Sequence, residues 1–173
     1  MKLQITAKNA AQMMALCSFL SLTIPAQIKT KCDLNIWTKS EVARKKDSSK
    51  QVGTLARIRS SRHKNFDRIV FEFDNGSLPM YQTLWEKPPF YEGETDVKVE
   101  IAGSKFLTVQ FYPNGGWIEG YAVEKMNFPM LRESALTYNW EGTTAFTLGL
   151  KSDTRFRVIE LKNPTRLAVD FKH

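Results

Sequence analysis

The sequence predicts an all-β domain, built from short strands as a sandwich or a barrel. From Thr54 to the end of the chain, apolar and polar residues alternate with the period of two that marks half-buried strands. Clusters of Gly, Pro, Asn and Ser separate the alternating runs, as expected for turns. Over the same range, no run has the periodicity of a helix of three turns.

Residues 1–26 are predicted to form a secretory signal peptide. Lys2 and Lys8 give a charged front, an apolar run over 13–24 follows, and Ala26 offers a small residue for cleavage. The apolar run is too short for a transmembrane helix. The protein is therefore expected to be secreted or periplasmic. The alternative is that this segment is amphipathic or belongs to the core.

A flexible polar linker is predicted over residues 27–53, where only residues 34–37 have the composition to dock or to form a short strand. Cleavage after residue 26 would remove Cys17 and leave Cys32 as the single cysteine, so no internal disulfide is expected. Neither cysteine follows the small residue of a lipid-attachment box, so the sequence predicts no stable membrane anchor.

The chain carries a formal charge of +7 and has a pI of about 9.4. Such a charge favours anionic partners, which include nucleic acid, a membrane surface and an acidic polymer. Basic strands with aromatic residues would suit an oligonucleotide-binding barrel. Since an exported protein rarely meets nucleic acid, nucleic acid is not expected as a partner. The oligomeric state does not follow from the sequence.

The strands of the domain, which is predicted over 54–173, follow from the alternation and the turns between them. The runs 97–102 and 105–112 are predicted to form a tight hairpin. The less regular stretch 117–131 is predicted to be a crossover loop or part of a binding rim. The predicted strands lie near 55–61, 67–74, 79–86, 97–102, 105–112, 132–140, 143–150, 155–161 and 165–172.

One strand occurs twice, as Arg68–Phe73 (RIVFEF) and as Arg166–Phe171 (RLAVDF). In both copies the second, fourth and sixth residues are apolar and are expected to face inward, while the Arg and the acid share the other face. These two charged groups are too far apart within one strand to pair. Each acid is therefore predicted to pair with a basic residue on a neighbouring strand. If the copies are antiparallel neighbours, Arg68 would meet Asp170 and Arg166 would meet Glu72.

The motifs of these runs resemble the AMIN-like domain of secreted bacterial proteins. The most distinctive one is the closing Asn-Pro-x-Arg-Leu-x-Val-Asp-Phe at 163–171. The resemblance implies a β-sandwich of two related antiparallel sheets over 54–173. It also implies a non-catalytic module outside the cytoplasmic membrane, with peptidoglycan, another anionic wall polymer or an envelope protein as partner. The segments that carry it are Phe66–Asp74, Leu78–Tyr81, Val97–Gly103, Gly142–Leu150, Phe156–Leu161 and Asn163–Phe171.

The sequence does not predict an enzyme or a cofactor. His63 and His173 are the only histidines, and no phosphate-binding loop, G-x-S-x-G or H-E-x-x-H motif occurs. Two alternatives stay open. Clustered carboxylates at Glu92, Glu94 and Asp96 would suit calcium in a small-ligand or Ca-binding sandwich. Paired carboxylates on one strand face would suit an unrecognised glycan hydrolase.

The candidate ligand-binding residues are basic and aromatic. Guanidinium groups grip carboxylates in bidentate fashion, and aromatic rings borne on loops stack on sugars. Against this, the basic residues can pair with acids on neighbouring strands, and large aromatic residues can plug the ends of a sandwich core. The predicted set is Arg57, Arg59, Arg62, His63 and Lys64, with Trp85 and Trp117 as loop-borne aromatic residues.

Overall fold

The computed structural model describes residues 35–45, 50–93, 95–113 and 123–173. These residues form strands and turns, without a helix. The predicted signal peptide 1–26, both cysteines and Trp117 lie outside the described residues. The strands are β1 (Ala43–Arg44), β2 (Thr54–Arg62), β3 (Phe66–Asp74), β4 (Met80–Glu86), β5 (Phe90–Tyr91), β6 (Lys98–Val99), β7 (Lys105–Tyr112), β8 (Val123–Lys125), β9 (Leu131–Trp140), β10 (Thr143–Leu150), β11 (Phe156–Leu161) and β12 (Thr165–Lys172).

The strands form two main sheets in which every pair is antiparallel. The larger sheet has the order β1-β4-β7-β10-β9-β8, and the smaller one has the order β11-β12-β3-β2. Strands β5 and β6 form a separate two-stranded ribbon. The all-β prediction is therefore confirmed, and most predicted strands agree with the observed ones within a residue or two at each end.

One core lies between the two main sheets. The Phe71 ring of β3 packs edge-on against the Phe111 ring of β7, with 5.1 Å between centroids, and Phe73 lies 5.2 Å from the same ring. All three side chains are buried. Burial of an aromatic side chain of this size contributes about 1.5–3 kcal/mol. The shared core is the arrangement that a β-sandwich requires.

The predicted hairpin between 97–102 and 105–112 is wrong. Only Lys98–Val99 is a strand in the first run, and it pairs with Phe90–Tyr91 rather than with β7. Residues 87–93 and 95–104, which we call the arm, instead cross the outer face of the larger sheet. Apolar residues of the arm pack there in a second, smaller core. Phe90, Val99 and Ile101 come from the arm, and Phe106 and Ala135 come from the larger sheet.

The described part of the predicted linker 27–53 is fixed to the domain, which differs from the prediction of a flexible tether. Thr38 exchanges two backbone hydrogen bonds with Phe156 of β11, at 2.7 and 2.8 Å. A few residues later, Ala43–Arg44 pairs with β4. The segment 35–45 therefore bonds to one strand of each main sheet.

The two copies of the repeated strand are neighbours at the centre of the smaller sheet. Their register sets Arg68 opposite Asp170 and Arg166 opposite Glu72, as predicted for antiparallel neighbours. The apolar residues of both copies face the core and are at most 2% exposed. They are Ile69, Phe71 and Phe73 in β3, and Leu167, Val169 and Phe171 in β12.

A hydrogen bond from Tyr81 links the two main sheets. The Tyr81 hydroxyl of β4 donates to Glu160 Oε1 of β11 at 2.9 Å, and Arg44 Nε lies 3.5 Å from the same oxygen. Burial raises the pKa of Tyr81 well above its ordinary value of about 10, and the negative charge of Glu160 raises it further. Tyr81 is therefore held in its neutral, donating form.

Gly149→Ala should detach the arm from the larger sheet. A Cβ at Gly149 would lie 2.0 Å from the Ala102 carbonyl oxygen, and backbone atoms cannot yield as a flexible side chain would. We expect a loss of about 3 kcal/mol in unfolding free energy and faster amide exchange across the arm. Urea unfolding and hydrogen exchange measure both. Gly142→Ala is the control, because its φ of +73° adds strain while its nearest atom is 3.9 Å away. Unchanged exchange in the arm of the Gly149 variant would contradict this account.

Tyr81 should make stability fall at alkaline pH. Because its folded pKa is raised, the folded state keeps a proton that the unfolded chain releases above about pH 10, so the unfolding free energy declines there by up to about 1.4 kcal/mol per pH unit. Urea unfolding between about pH 8 and about pH 11 measures the slope. Tyr81→Phe should give a shallower slope. An equal slope in the two proteins would show that another group is responsible.

Candidate functional site

The outer face of the smaller sheet carries an excess of basic side chains, and we call it the basic face. Residues that alternate with the core-facing ones point outward from each strand. The outward charged residues of these strands are six basic and three acidic, which gives a surplus of three positive charges. They are Arg57, Arg59, Arg68, Arg157, Arg166 and Lys172, with Glu72, Asp74 and Asp170.

Asp170 is clamped between two arginines at the centre of the basic face. Its carboxylate is fully buried. It accepts two hydrogen bonds from Arg68, at 2.6 and 2.8 Å, and one from Arg157 Nε at 2.8 Å. The hydrogen bond to Asp170 raises the pKa of Arg68. The guanidinium of Arg157 also lies 4.7 Å from the centre of the Trp37 ring. These two arginines hold the sheet together and are not free to grip a ligand.

The acid of the other copy also pairs across strands, although with a different arginine from the one predicted. Glu72 Oε2 accepts from Arg59 on β2 at 2.5 Å. The predicted Arg166–Glu72 pair is wrong, because Arg166 Nε donates instead to the Pro164 carbonyl at 3.3 Å. Glu72 has basic residues on both neighbouring strands, and it pairs with Arg59 on β2. The general prediction that each acid pairs with a neighbouring strand is confirmed.

The predicted basic residues do not all lie on one face. Arg57 and Arg59 are exposed on the basic face, and Arg57 has no ion pair among the described residues. Arg62 is exposed too, but its register opposite Asp67 turns it to the other side of the sheet. His63 and Lys64 lie in the turn after β2, where the His63 ring stacks on Phe66 at 4.4 Å between centroids.

The placement of Trp85 on a loop is wrong. Trp85 lies in strand β4 and packs against the main core. Its ring meets Phe156 edge-on at 5.7 Å, and its indole N–H donates to the Lys39 carbonyl at 2.8 Å. The alternative role of large aromatic residues, plugging the core, fits this position. Trp117 is outside the described residues and its predicted role stays a prediction.

Three buried carboxylates have structural partners. Asp67 accepts the backbone N–H groups of Met130 and Leu131 at 2.6 and 2.9 Å and also contacts the His173 imidazole. Glu133 accepts the Ala102 N–H at 2.8 Å, and Asp170 is clamped as described. Carboxylates that stabilise backbone amides or guanidinium groups in this way are not placed to act on a substrate.

The acidic turn at 92–96 is closed by its own backbone. Thr95 donates to the Glu92 carbonyl through both its N–H, at 3.0 Å, and its hydroxyl, at 2.6 Å. Glu94 is outside the described residues. Over the rest of the described chain, no group of three His, Cys, Asp or Glu side chains could hold a metal.

A concave surface on the other sheet was missed by the sequence reasoning. A groove of about 470 Å³ lies between the arm and the outer face of the larger sheet, and we call it the arm groove. Gln110 and Thr108 of β7 form part of its floor, and Tyr91 and Tyr138 also line it. The alternation of β7 does place Thr108 and Gln110 on one face. The position of the arm, which makes this face concave, gave no local signal.

Asp170→Asn should be far more damaging than Glu72→Gln. The first change leaves two partly buried guanidinium groups against a neutral amide, at a cost of about 3–5 kcal/mol. The second affects an arginine that is half exposed, at a cost below about 1 kcal/mol. Urea unfolding measures the loss of unfolding free energy in each variant, and both substitutions lie on the basic face. Equal losses would show that the Asp170 clamp does not hold the sheet.

Comparison with known families matches residues 53–173 to the AMIN-like domain. That range begins one residue before the predicted domain. No curated protein and no solved structure matches the chain significantly. In the described part of the chain, no helix has the length and hydrophobicity of a membrane span.

Proposed function

Since the chain belongs to the AMIN-like domain family, a family of cell-envelope-related domains, we propose that it is a non-catalytic, exported binding module of the bacterial envelope. Its ligand would be peptidoglycan or another anionic wall polymer, and an envelope protein with an acidic surface would present the same chemistry. Residues 1–26 would direct export to the periplasm or the exterior. Recognition would involve no bond making or breaking.

The observation that supports this proposal is the charge of the basic face. Arg57 has no acidic partner among the described residues, and Arg59 is 49% exposed although it pairs with Glu72. The two residues are two positions apart on one strand face, so their Cα atoms lie about 7 Å apart. Two guanidinium groups at that spacing can each take a carboxylate of a polymer in bidentate geometry.

The Asp170 clamp favours binding because it orders the strands of the basic face before a ligand arrives. Asp170 on β12 pairs with Arg68 on β3 and with Arg157 on β11, so it links the three strands. A face that is already ordered loses little conformational entropy when a ligand arrives. Exposed charges are screened by salt, so binding by this face should weaken as ionic strength rises.

Co-sedimentation of the full chain with purified sacculi tests the proposal. The protein should be retained at low salt and released as salt is raised. Arg57→Ala/Arg59→Ala should lower retention by about tenfold, because each charge-assisted contact contributes more than a neutral hydrogen bond. A melting curve of the variant verifies its folding.

The matched control is Lys105→Ala/Lys151→Ala, which removes the same charge from exposed positions outside the smaller sheet. Its retention should stay close to that of the natural sequence. Equal loss in both double variants would show that only net charge matters. Absence of retention at low salt would overturn the proposed wall binding.

A further inference from the structure

The arm groove has preformed walls. The arm is tied to the larger sheet by the Gly93 N–H, which donates to the Thr137 carbonyl at 2.9 Å, and by the Ala102 N–H, which donates to Glu133 at 2.8 Å. The Phe90 ring of the arm is also buried against Phe106 of β7, with 4.9 Å between centroids. The groove therefore exists before any ligand enters it. Its volume of about 470 Å³ lies within the range of about 300–1,000 Å³ that small-ligand sites show.

A chain of hydroxyl groups runs beneath the groove and is oriented by a carboxylate. Thr108 contacts Glu86 and lies 2.9 Å from the Thr147 hydroxyl, which lies 2.9 Å from that of Thr137. A carboxylate only accepts hydrogen bonds, so Thr108 donates to Glu86 and in turn accepts from Thr147. The second carboxylate oxygen of Glu86 has no partner among the described residues and can accept from a ligand.

A pair of amides beside this chain offers both kinds of hydrogen-bonding group. Gln82 Nε2 donates to Gln110 Oε1 at 2.6 Å across β4 and β7. The pair leaves the Gln110 amino group as a donor and the Gln82 carbonyl as an acceptor, and the described residues supply no partner for either. Adjacent hydroxyls of a sugar ring both donate and accept, so this combination is suited to bind them.

Aromatic rings complete the surface. Tyr91 on the arm is 44% exposed, and Tyr138 lines the groove from β9. Trp140, on the same strand face two residues beyond Tyr138, is 57% exposed. Exposed rings give apolar faces for the C–H surface of a pyranose. Their extension beyond the groove provides for more than one sugar unit.

We propose that the arm groove binds a neutral oligosaccharide, at a site separate from the basic face. Among its lining residues only Glu86 and Lys87 are charged, and they have opposite signs. A strongly anionic ligand would therefore find no compensation here, whereas hydroxyl groups find donors, acceptors and rings. This site goes beyond the proposed binding of anionic groups, because it lies on the other sheet and uses different chemistry.

Nuclear magnetic resonance titration of the full chain with cellotetraose and with chitotetraose tests the site. Both probes share the ring hydroxyls, and only chitotetraose carries acetamido groups. Shifts at the Gln110 and Gln82 side-chain amides with either probe support the proposal, and the stronger probe identifies the sugar class. Gln110→Ala and Tyr91→Ala should each weaken binding about tenfold.

Arg57→Ala/Arg59→Ala is the control on the opposite face and should leave oligosaccharide binding unchanged. The two assays also separate the two proposals. If the protein is not retained by sacculi but still binds the oligosaccharide, only the proposed binding of wall polymer by the basic face is refuted. Absence of shifts at millimolar concentrations of both probes would overturn the groove proposal. Shifts confined to residues outside the groove, or unchanged affinity in Gln110→Ala and Tyr91→Ala, would also overturn it.

Discussion

The burial of Asp170 between Arg68 and Arg157 is the constraint on which the smaller sheet depends. Burial of a carboxylate is costly unless ion pairs or hydrogen bonds compensate its charge, and the two guanidinium groups that compensate Asp170 come from the strands on either side of β12. The clamp can form only in the register that sets Arg68 opposite Asp170. That same register turns the apolar residues of both copies inward and leaves Arg57 and Arg59 outward on the neighbouring strand.

The sequence predicted the strands well because their signal is local. The period of two in Ile69, Phe71 and Phe73 is fixed by backbone geometry, whichever strand lies next to them. The repeat of that pattern at Leu167–Phe171 also predicted the Arg68–Asp170 pair correctly. The partner of Glu72 was missed because two neighbouring strands offer it an arginine, and only the folded geometry chooses between them.

The candidate sites were harder to predict because they depend on contacts between distant parts of the chain. Trp85 was expected on a loop, yet it is held by a backbone carbonyl of a segment 46 residues away. The amides of Gln82 and Gln110 are separated by 28 residues. Their face becomes concave only because the arm crosses it, and the run 97–102 of the arm looks in the sequence like one strand of an ordinary hairpin with 105–112. Local sequence patterns cannot show that such a run pairs with a different strand from the one next to it in the sequence.

The segment 35–45 has a further consequence, which concerns aggregation. Its Thr38 covers part of the outer edge of β11, and β1 covers the outer edge of β4. Unpaired strand edges are templates for pairing with other molecules. The AMIN-like match begins at residue 53, so both protecting contacts lie outside it. A fragment cut at that boundary would keep the matched domain, yet it would uncover one strand edge on each sheet and become prone to self-association.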